Sequence, residues 1–304
     1  MDTQENDRIS KIYKIIQMKI YVIIVTYNGS KWIEKCLSSV FKTSIQVDVI
    51  IIDNLSTDNT VNIIEEKFSE VTLIKSEKNL GFGKANNLGI KLALEHAADY
   101  VFLLNQDAWI EKDTIEKLVE VNQKHPEFGI LSPVPYDGEE MLLDFNYEKY
   151  YKNGIKYDIE FTNKTFEIGF INAAAWLMSL GLIQQLGGFH PMLIQRGEDR
   201  NYINRLHFHN NFKVGISMIT KYYHDRQDRK TLKINQKKRL YNYKQKVKCH
   251  AFNPDRKPFW NWLKMDISMI INRKETKFYL SVLLFSLKMY FYSLCNRKIY
   301  YPLK

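Results

Sequence analysis

Two acidic segments have the residue types and positions that chemistry on a bound molecule would need. The run "VFLLNQDAWI" (101–110) reads as a buried strand that is broken by Asn105 and Asp107. A carboxylate at such a strand end can bind a divalent cation together with phosphate oxygens. Glu198 and Asp199 open a predicted helix, where an acid can take a proton from a hydroxyl. Each segment alone has a plain alternative, because strands end in polar turns and acids favour the first turn of a helix.

Apolar runs that alternate with helical patterns predict the elements that position these acids. Strands are predicted at 19–28, 47–53, 71–76, 100–105 and 128–133, and helices at 30–41, 57–68, 83–97 and 112–124. Farther along the chain, regular structure is predicted at 167–180, a helix at 197–210 and a strand at 213–219, whereas 135–168 reads as a loop or an irregular hairpin. Strands alternating with helices indicate an α/β fold with a doubly wound, mostly parallel sheet and helices on both faces.

Polar side chains follow four of these strands. Asn28, Asp53, Asn79 and Asp107 all fall just past predicted strand ends. Ligands of such sheets bind outside the carboxyl ends of the strands, so this edge is the expected binding site.

The glycine pattern of a dinucleotide-binding fold is missing from the first turn. That fold needs G-x-G-x-x-G after the first strand, where this chain has "TYNGSKW" with one glycine. The segment "GFGKAN" (81–86) has two of the glycines but follows the third strand, and Asn86 takes the place of the last one. We therefore reject a dinucleotide site.

Five segments in series resemble one known family. They are "VIIVTYNGSKWIEKCLSSV", "VDVIIIDNLSTDNT", "NLGFGKANNLGI", "FLLNQDAW" and "RGEDRNYINRL". In this order and spacing they resemble family 2 inverting glycosyltransferases of the GT-A fold, in particular the rhamnosyltransferase-like branch. The resemblance covers about residues 19–225. It implies a dTDP- or UDP-sugar donor, a divalent metal ion and hexosyl transfer with inversion, in bacterial cell-surface polysaccharide synthesis.

The resemblance assigns the metal to the strand end at Asp107. Family members carry D-x-D there, whereas this chain has N-Q-D, so Asn105 replaces the first acid and adds no charge. We expect Asp107 to bind Mg²⁺ or Mn²⁺ and Asn105 to contact the nucleotide or a metal-bound water. His224 matches a histidine that some relatives use as a further ligand, and a surface histidine is the alternative.

The resemblance also assigns the nucleotide to the first three strand ends. Asp53 matches the carboxylate that accepts the N3–H of a uracil or thymine base, with a helix-capping turn as the alternative. The other expected nucleotide contacts are Thr26, Tyr27, Asn28, Gly81, Gly83 and Asn86.

The acid pair near residue 200 matches the catalytic acids of the family. An inverting transfer needs one general base on the acceptor hydroxyl, opposite the leaving group. We assign Asp199 as that base and Glu198 as its support or as an acceptor contact. Trp176 would border the acceptor, where it either stacks on a sugar or fills the core. Arg205, on roughly the opposite helical face from the acids, is expected to be structural.

Charge is distributed unevenly along the chain. Of its 304 residues, those from 221 to the end hold 21 Lys+Arg against 5 Asp+Glu, although the whole chain carries a net charge of only +10. Within this basic part, "FYLSVLLFSLKMYFYSLC" (278–295) has one charge and many aromatic residues. These features favour peripheral contact with a membrane carrying a lipid-linked glycan acceptor, and a buried helix in a homo-oligomer or against the domain is the alternative.

The remaining features set the domain boundaries and the compartment. We expect an N-terminal extension at 1–17, a GT-A nucleotide-sugar-binding and catalytic domain at 18–225, and a basic helical region at 226–304. Three distant cysteines and no signal-peptide pattern at the N-terminus favour the cytoplasm, at the inner face of the membrane.

Two other functions compete with the enzyme. A nucleic-acid-binding protein would suit the basic tail, but the acidic strand ends would repel phosphate, so we expect no nucleic acid partner. A non-catalytic nucleotide-binding relative is suggested by Asn105 and opposed by the retained acids.

Overall fold

The structure is a computed structural model that describes residues 18–139, 142–144, 147, 165–226, 236–255, 257–271, 276–296 and 300–303. The predicted extension at 1–17 and most of the predicted irregular segment lie outside the described residues.

The described strands form one sheet. They are β1 (Ile20–Thr26), β2 (Asp48–Asp53), β3 (Thr72–Lys75), β4 (Tyr100–Asn105), β5 (Ala108–Ile110), β6 (Phe128–Asp137), β7 (Thr165–Glu167), β8 (Ala175–Ser179) and β9 (Lys213–His224). Their order across the sheet is β3-β2-β1-β4-β8-β6-β9-β5, and β7 pairs with β9.

The described helices lie between and after these strands. They are α1 (Ile33–Val40), α2 (Thr60–Lys67), α3 (Phe82–Glu95), α4 (Thr114–Lys124), α5 (Leu180–Leu186), α6 (Glu198–His209), α7 (Gln236–Ala251), α8 (Lys257–Ile271) and α9 (Thr276–Asn296). The predicted helices are confirmed, with ends that differ by up to three residues.

One half of the sheet is parallel, as predicted. β1 pairs in parallel with β2 and β4, and β2 pairs in parallel with β3. These strands are continuous apolar runs because helices cover both faces of the sheet. α1, α2 and α4 pack on one face, where Val22 and Ile24 point, and α3, α5 and α6 pack on the other, where Ile23 points. The carboxyl ends of β1, β2 and β4 therefore meet at one edge.

The other half of the sheet is mixed, which the alternating pattern did not predict. β8 runs antiparallel to both β4 and β6, while β5 and β7 run antiparallel to β9. β6 pairs in parallel with β9. An antiparallel neighbour needs no crossover helix, so the strand–helix alternation carries no signal for it.

Two strands are longer than predicted. β6 continues through Pro133 and Pro135, with an irregular register between Pro133 and Val134. Proline lacks a ladder donor, which explains why the sequence pattern appeared to stop there. β9 continues to His224 rather than ending at 219, and this carries His224 to the edge of the sheet.

The C-terminal helices have a small core of their own. Val247 of α7, Phe259 and Leu263 of α8, and Val282 and Met289 of α9 pack in a cluster separate from the two that cover the sheet. The basic helical region is thus present as predicted. Its exact boundary near residue 226 stays a prediction.

Candidate active site

Asp53 fastens the ends of β1 and β2 to each other. Its Oδ1 accepts hydrogen bonds from Thr26 Oγ1 at 2.8 Å and Ser56 Oγ at 2.5 Å, and its Oδ2 accepts one from Ser56 N at 2.9 Å. The side chain is buried. A carboxylate has about four acceptor positions, so three internal bonds leave room for one more donor. Asp53 is therefore first a structural residue, and its contact with a base stays a prediction.

Asn28 links the same two strand ends from outside. It has the left-handed φ of 48°, its Oδ1 accepts from Thr57 N at 2.8 Å, and its own N–H donates to Ser56 Oγ at 2.9 Å. Asparagine tolerates this backbone region better than most residues. The neighbouring Tyr27 is left 49% exposed.

Gln106 fixes Tyr27 from the end of β4, which the sequence analysis did not foresee. Its Oε1 accepts from Tyr27 N at 2.9 Å, and its Nε2 donates to Tyr27 O at 3.1 Å. Because one amide satisfies both backbone groups of Tyr27, the ends of β1 and β4 hold a constant separation. The middle residue of the N-Q-D segment thus has a structural function.

Asp107 and His224 meet although 117 positions separate them in the chain. His224 Nε2 lies 3.0 Å from Asp107 Oδ1, and both side chains are buried. The antiparallel pairing of β5 with β9 places them there, because it sets Ala108 opposite His224. Arg226 Nε lies 3.1 Å from His224 Nδ1. Arginine can only donate, so this contact favours the imidazole with its proton on Nε2, directed at Asp107.

This pair fits part of a ligand set for a divalent cation. One carboxylate and one imidazole suit Mn²⁺, and Mg²⁺ sites commonly use one or two carboxylates completed by phosphate oxygens. Within the described ranges no group of three or more His, Cys, Asp or Glu side chains is placed to hold a metal. The Asp107 carboxylate is the type of ligand that such a cation prefers, and its Oδ1 faces His224. His224 would have to move its proton to Nδ1 and release Arg226.

Glu198 and Asp199 begin α6 at the wall of a cavity. Glu198 is buried, and its Oε2 has no hydrogen-bond partner among the described residues. Burial raises the pKa of Glu198 to about 7, the neighbouring Asp199 adds to the rise, and Arg196 opposes it. Burial also raises the pKa of the half-buried Asp199, although Arg200 N donates to its Oδ1 at 2.7 Å. Carboxylic acids with pKa values near neutrality are suited to proton transfer.

Gly197 brings α7 close to this acid pair. Its φ of 88° lies in the left-handed region, and a Cβ at this position would stand 3.1 Å from Cys249 Cβ. Both conditions favour glycine. α7 is further attached by a hydrogen bond from Asn201 Nδ2 to Phe252 O at 3.1 Å. The C-terminal helices therefore sit directly on the start of α6.

Two cavities lie side by side at this edge. The first has a volume of about 860 Å³ and is lined by Asn105, Glu198, Asp199, Arg226, His250 and Trp262, among others. The second has a volume of about 760 Å³ and is lined by Tyr27, Asn54, Asn79, Gly81, Lys237 and Tyr241, among others. Phe82, Gln195 and Arg196 line both. Of the predicted site residues, Tyr27, Gly81, Asn105 and the acid pair thus reach a cavity.

Two predicted contacts are corrected by the structure. Trp176 is fully buried on β8 between Phe189 and Tyr202, so it fills the core and cannot touch an acceptor. Asn86 is buried in α3 and donates to Phe82 O at 2.9 Å, which makes it a helix residue rather than a nucleotide contact.

The glycines before and within α3 are required by close packing. A Cβ at Gly81, whose φ is 76°, would stand 2.1 Å from Ile194 O. Gly83 is buried, and a Cβ there would lie 3.1 Å from Phe189 Cβ. Gly81 lines the second cavity and Gly83 does not, and the nucleotide contact at Gly83 stays a prediction.

The sequence analysis missed several lining residues. Asn54, directly after Asp53, accepts from Leu80 N at 3.0 Å and lines the second cavity. Gln195 and Arg196 lie just before Gly197 and the acid pair, and they line both cavities. Their nearness to the motifs was the available signal. Arg205 is structural, as expected, since its buried guanidinium donates to Leu186 O at 2.8 Å and Gly188 O at 2.7 Å.

Comparison with protein families identifies the segment that carries these strand ends. The model of glycosyl transferase family 2 matches residues 21–187, more than half of the chain. This range includes Asp53 and Asp107 but ends before the acid pair.

Curated relatives match over shorter segments. Glycosyltransferase GlyA of Streptococcus pneumoniae is 27% identical over 184 residues, which are 57% of this chain and 26% of that protein. N-acetylglucosaminyl-diphospho-decaprenol L-rhamnosyltransferase of Mycobacterium tuberculosis is 30% identical over 125 residues, which are 38% of this chain and 41% of that protein. The matches therefore span well under half of the length of these relatives.

Solved structures share the fold. TarS 1-349 of S. aureus in complex with UDP-GlcNAc superposes with a TM-score of 0.55 at 18% identity, over 91% of this chain and 80% of that one. The complex of the same protein with UDP gives a TM-score of 0.54 at 19% identity, over 79% of this chain and 68% of that one.

Proposed function

Since the chain belongs to glycosyl transferase family 2, we propose that it moves a hexosyl group from a UDP- or dTDP-sugar to a glycan acceptor of the bacterial cell surface. Rhamnose, galactofuranose and other hexoses remain open as the transferred sugar. The family match supports the reaction class, and the relatives support the biological setting, since one of them is a rhamnosyltransferase acting on a decaprenol-linked sugar by its name.

The donor nucleotide is assigned to the second cavity. Its lining combines the ends of β1 and β2 with the segment before α3, where Tyr27 is exposed and Asp53 lies just beneath. That edge is where open α/β sheets bind ligands. The fold shared with TarS, which was solved with UDP and with UDP-GlcNAc, is consistent with this assignment.

The acceptor is assigned to the first cavity, beside the acid pair. Amides of Asn172, Gln195 and Asn253 line this cavity and suit sugar hydroxyls. Asp199 takes the proton from the attacking hydroxyl, Glu198 supports it, and attack from the side opposite the leaving group inverts the anomeric carbon. The raised pKa of both acids follows from their burial.

A divalent cation, Mg²⁺ or Mn²⁺, would be held by Asp107 with phosphate oxygens, and by His224 after its proton moves. When bound, such a cation offsets the charge that develops on a diphosphate leaving group. Asn105 contributes no charge here, which makes Asp107 the principal anionic ligand. The short distance between Asp107 Oδ1 and His224 Nε2 supports a shared role for the two side chains.

One observation carries the proposal. Asn105, from the strand end that leads to Asp107, lines the same cavity as Glu198 and Asp199. Asn105 of the expected leaving-group side and the expected base therefore face the same open cleft, as a displacement requires. This arrangement depends on residues on both sides of residue 187, where the family match ends.

Calorimetric titration of UDP and dTDP, with Mn²⁺ and with EDTA, tests the donor and metal assignments. We expect binding that needs the metal and that is lost in Asp107→Ala, because the principal carboxylate ligand is removed. Asp48→Ala is the matched control, since Asp48 is exposed at the opposite end of β2. If the wild-type chain binds neither nucleotide under either condition, the glycosyltransferase assignment is wrong.

We also propose that α9 lies on an anionic membrane surface at the inner face of the cell membrane. Among the described helices one, at Lys277–Asn296, is long and apolar enough to be a candidate span, and 28% of its apolar window is buried in the chain. Leu280, Leu284, Leu287, Phe291 and Leu294 recur at spacings of three and four and are all exposed.

The opposite face of α9 is already occupied. Tyr279, Val282 and Met289 are buried against α7 and α8. An exposed apolar stripe of this kind on a basic helical region suits an interface with anionic lipids, where apolar side chains insert and lysines face head groups. The surplus of Lys and Arg after residue 221 provides the complementary charge.

A further inference from the structure

The wall of the donor cavity that faces the strand ends is formed by α7. Lys237, Lys238, Tyr241 and Asn242 of this helix line the same cavity as Tyr27 and Asn54. The family match ends at residue 187, so it does not assign these positions. Farther along the helix, Lys246, Cys249 and His250 line the neighbouring cavity. One face of α7 therefore follows the whole cleft.

The position of α7 is set by contacts at its C-terminal half. Lys248 Nζ donates to Met192 O at 3.3 Å, and Cys249 packs against Gly197. The ring of Phe252, just past the helix, lies 4.2 Å from the ring of His190. The other face of α7 packs on the remaining C-terminal helices, where Arg239 lies over the ring of Phe278. The face toward the cleft is thus fixed from both sides.

The charge of this cavity is of one sign. Its lining includes the cations Arg196, Lys237 and Lys238 and no carboxylate from the described residues. Tyr27 is 49% exposed and Tyr241 is 39% exposed at the same cavity. Cations together with accessible aromatic rings suit a ligand that combines phosphates with a planar base.

We infer that Lys237 and Lys238 of α7 bind the phosphates of the donor nucleotide, so that the C-terminal region completes the donor site. This inference rests on the proposed function, because it takes the bound ligand to be a nucleotide. It predicts that donor binding depends on a helix outside the family-matched segment. It also gives the basic charge of this helix a role distinct from membrane contact.

Titration of UDP and of uridine into the full chain tests the inference. In the double variant Lys237→Met, Lys238→Met we expect the Kd for UDP to rise roughly five- to tenfold, with a smaller change for uridine, because two exposed charge contacts to phosphate are lost. The difference in Kd for UDP between the double variant and wild type should shrink at high salt, since exposed charges are screened. Both lysines are exposed, so the fold should be retained.

Lys244→Met is the matched control on the same helix. Lys244 Nζ lies 5.2 Å from the centre of the Phe285 ring, on the side away from the cavity, and its loss changes the net charge in the same direction. We expect its Kd for UDP to stay within about twofold of wild type.

The outcomes separate this inference from the proposed function. An unchanged Kd for UDP in the double variant, with a wild-type chain that binds UDP, overturns the inference and leaves the proposed function standing. Equal weakening of UDP and uridine overturns the assignment to the phosphates. A wild-type chain that binds neither UDP nor dTDP overturns both.

Discussion

At the scale of single residues, two buried carboxylates at this site have opposite environments. Asp53 is buried with three internal hydrogen bonds, whereas Glu198 is buried with one oxygen lacking a partner among the described residues. A buried carboxylate without compensating donors is costly to charge, which is why the pKa of Glu198 rises to about 7. The same carboxylate group is therefore well supplied with donors at the strand end and left with one unbonded oxygen, among the described residues, at the helix start.

This environment predicts a dependence of stability on pH. The folded pKa of Glu198 lies above its ordinary value of 4.5, so the folded state keeps the proton longer and loses stability as pH rises from 4.5 to about 7. Glu198→Gln removes this loss. Its gain in unfolding free energy over wild type should grow across that window, to at most about 3 kcal/mol at pH 8.

Urea denaturation at pH 5, 6, 7 and 8 measures the difference. The titratable or charged groups that interact with Glu198 include Asp199 and Arg196 on its own segment and Tyr241 and Cys249 on α7, and all four stay unchanged in the comparison. Glu70→Gln, at an exposed position after α2, controls for the loss of one carboxylate. Parallel stability curves for Glu198→Gln and wild type would contradict the raised pKa.

At the scale of elements, the start of α6 and the C-terminal half of α7 meet at Gly197. Gly197 precedes the acid pair, has a left-handed backbone and contacts Cys249 of α7. The turn before α6 requires the left-handed backbone of Gly197, and the close approach of Cys249 requires that Gly197 has no side chain. The junction thus connects the acid pair, Glu198 and Asp199, to the C-terminal helices through one small residue.

Gly197→Ala should therefore destabilise the chain. The left-handed backbone alone costs a residue with a Cβ about 1–2 kcal/mol, and the contact with Cys249 must also shift. We expect a lower midpoint in thermal unfolding. Gly169→Ala is the matched control, because no atom lies within 4 Å of the added Cβ. Equal midpoints for the two variants would show that α7 does not pack on Gly197 as described.

At the scale of the whole molecule, an acidic α/β part is joined to a basic helical part with an exposed apolar stripe. Leu284 and Phe291 are the most exposed members of that stripe, at 63% and 65%. Isolated apolar residues on a surface are ordinary, but a continuous stripe points to an interface. The positive charge beside it favours an anionic bilayer as the surface that covers it.

Flotation with lipid vesicles measures this interface. We expect the full chain to float with vesicles of phosphatidylcholine that contain roughly one third phosphatidylglycerol, an anionic lipid. It should float less with vesicles of phosphatidylcholine alone. Leu284→Gln with Phe291→Gln should abolish flotation, because the inserting side chains are lost. Phe208→Gln, at an exposed position on α6, is the control.

Light scattering tests the alternative that a second copy of the chain, and not a membrane, covers the apolar stripe of α9. A wild-type dimer that Leu284→Gln with Phe291→Gln converts to monomer, without flotation of either, would show that a second copy covers α9 and would overturn the membrane proposal. A monomer that fails to float with anionic vesicles would overturn it as well.

The sequence determined the elements and the edge where the site lies. Continuous apolar runs such as β1 and β4 need cover on both faces, and the helical patterns between them supply it, so the parallel half of the sheet followed from local patterns. The polar residues after those runs then had to share one edge. The ordered motifs identified the family, which the match over residues 21–187 confirms.

The tertiary structure alone decided which side chains face that edge and which are buried. Trp176 and Asn86 lie in the core, although their sequence neighbourhoods suggested contacts with ligands. Lys237 and Lys238 reach the donor cavity from a helix that carried no motif. Whether a side chain is buried or reaches a cavity depends on how the helices pack on the sheet. The periodicity of apolar residues, 3.6 in a helix and 2 in a strand, does not encode that packing.

The contact between Asp107 and His224 is a second feature that local sequence patterns do not predict. Its cause is the antiparallel pairing of β5 with β9, two strands more than 100 residues apart. Local patterns fix which residues form a strand because side-chain alternation and backbone preference act over a few positions. Which distant strand becomes the neighbour is fixed only when the chain closes its core, since that choice is made by packing across the sheet.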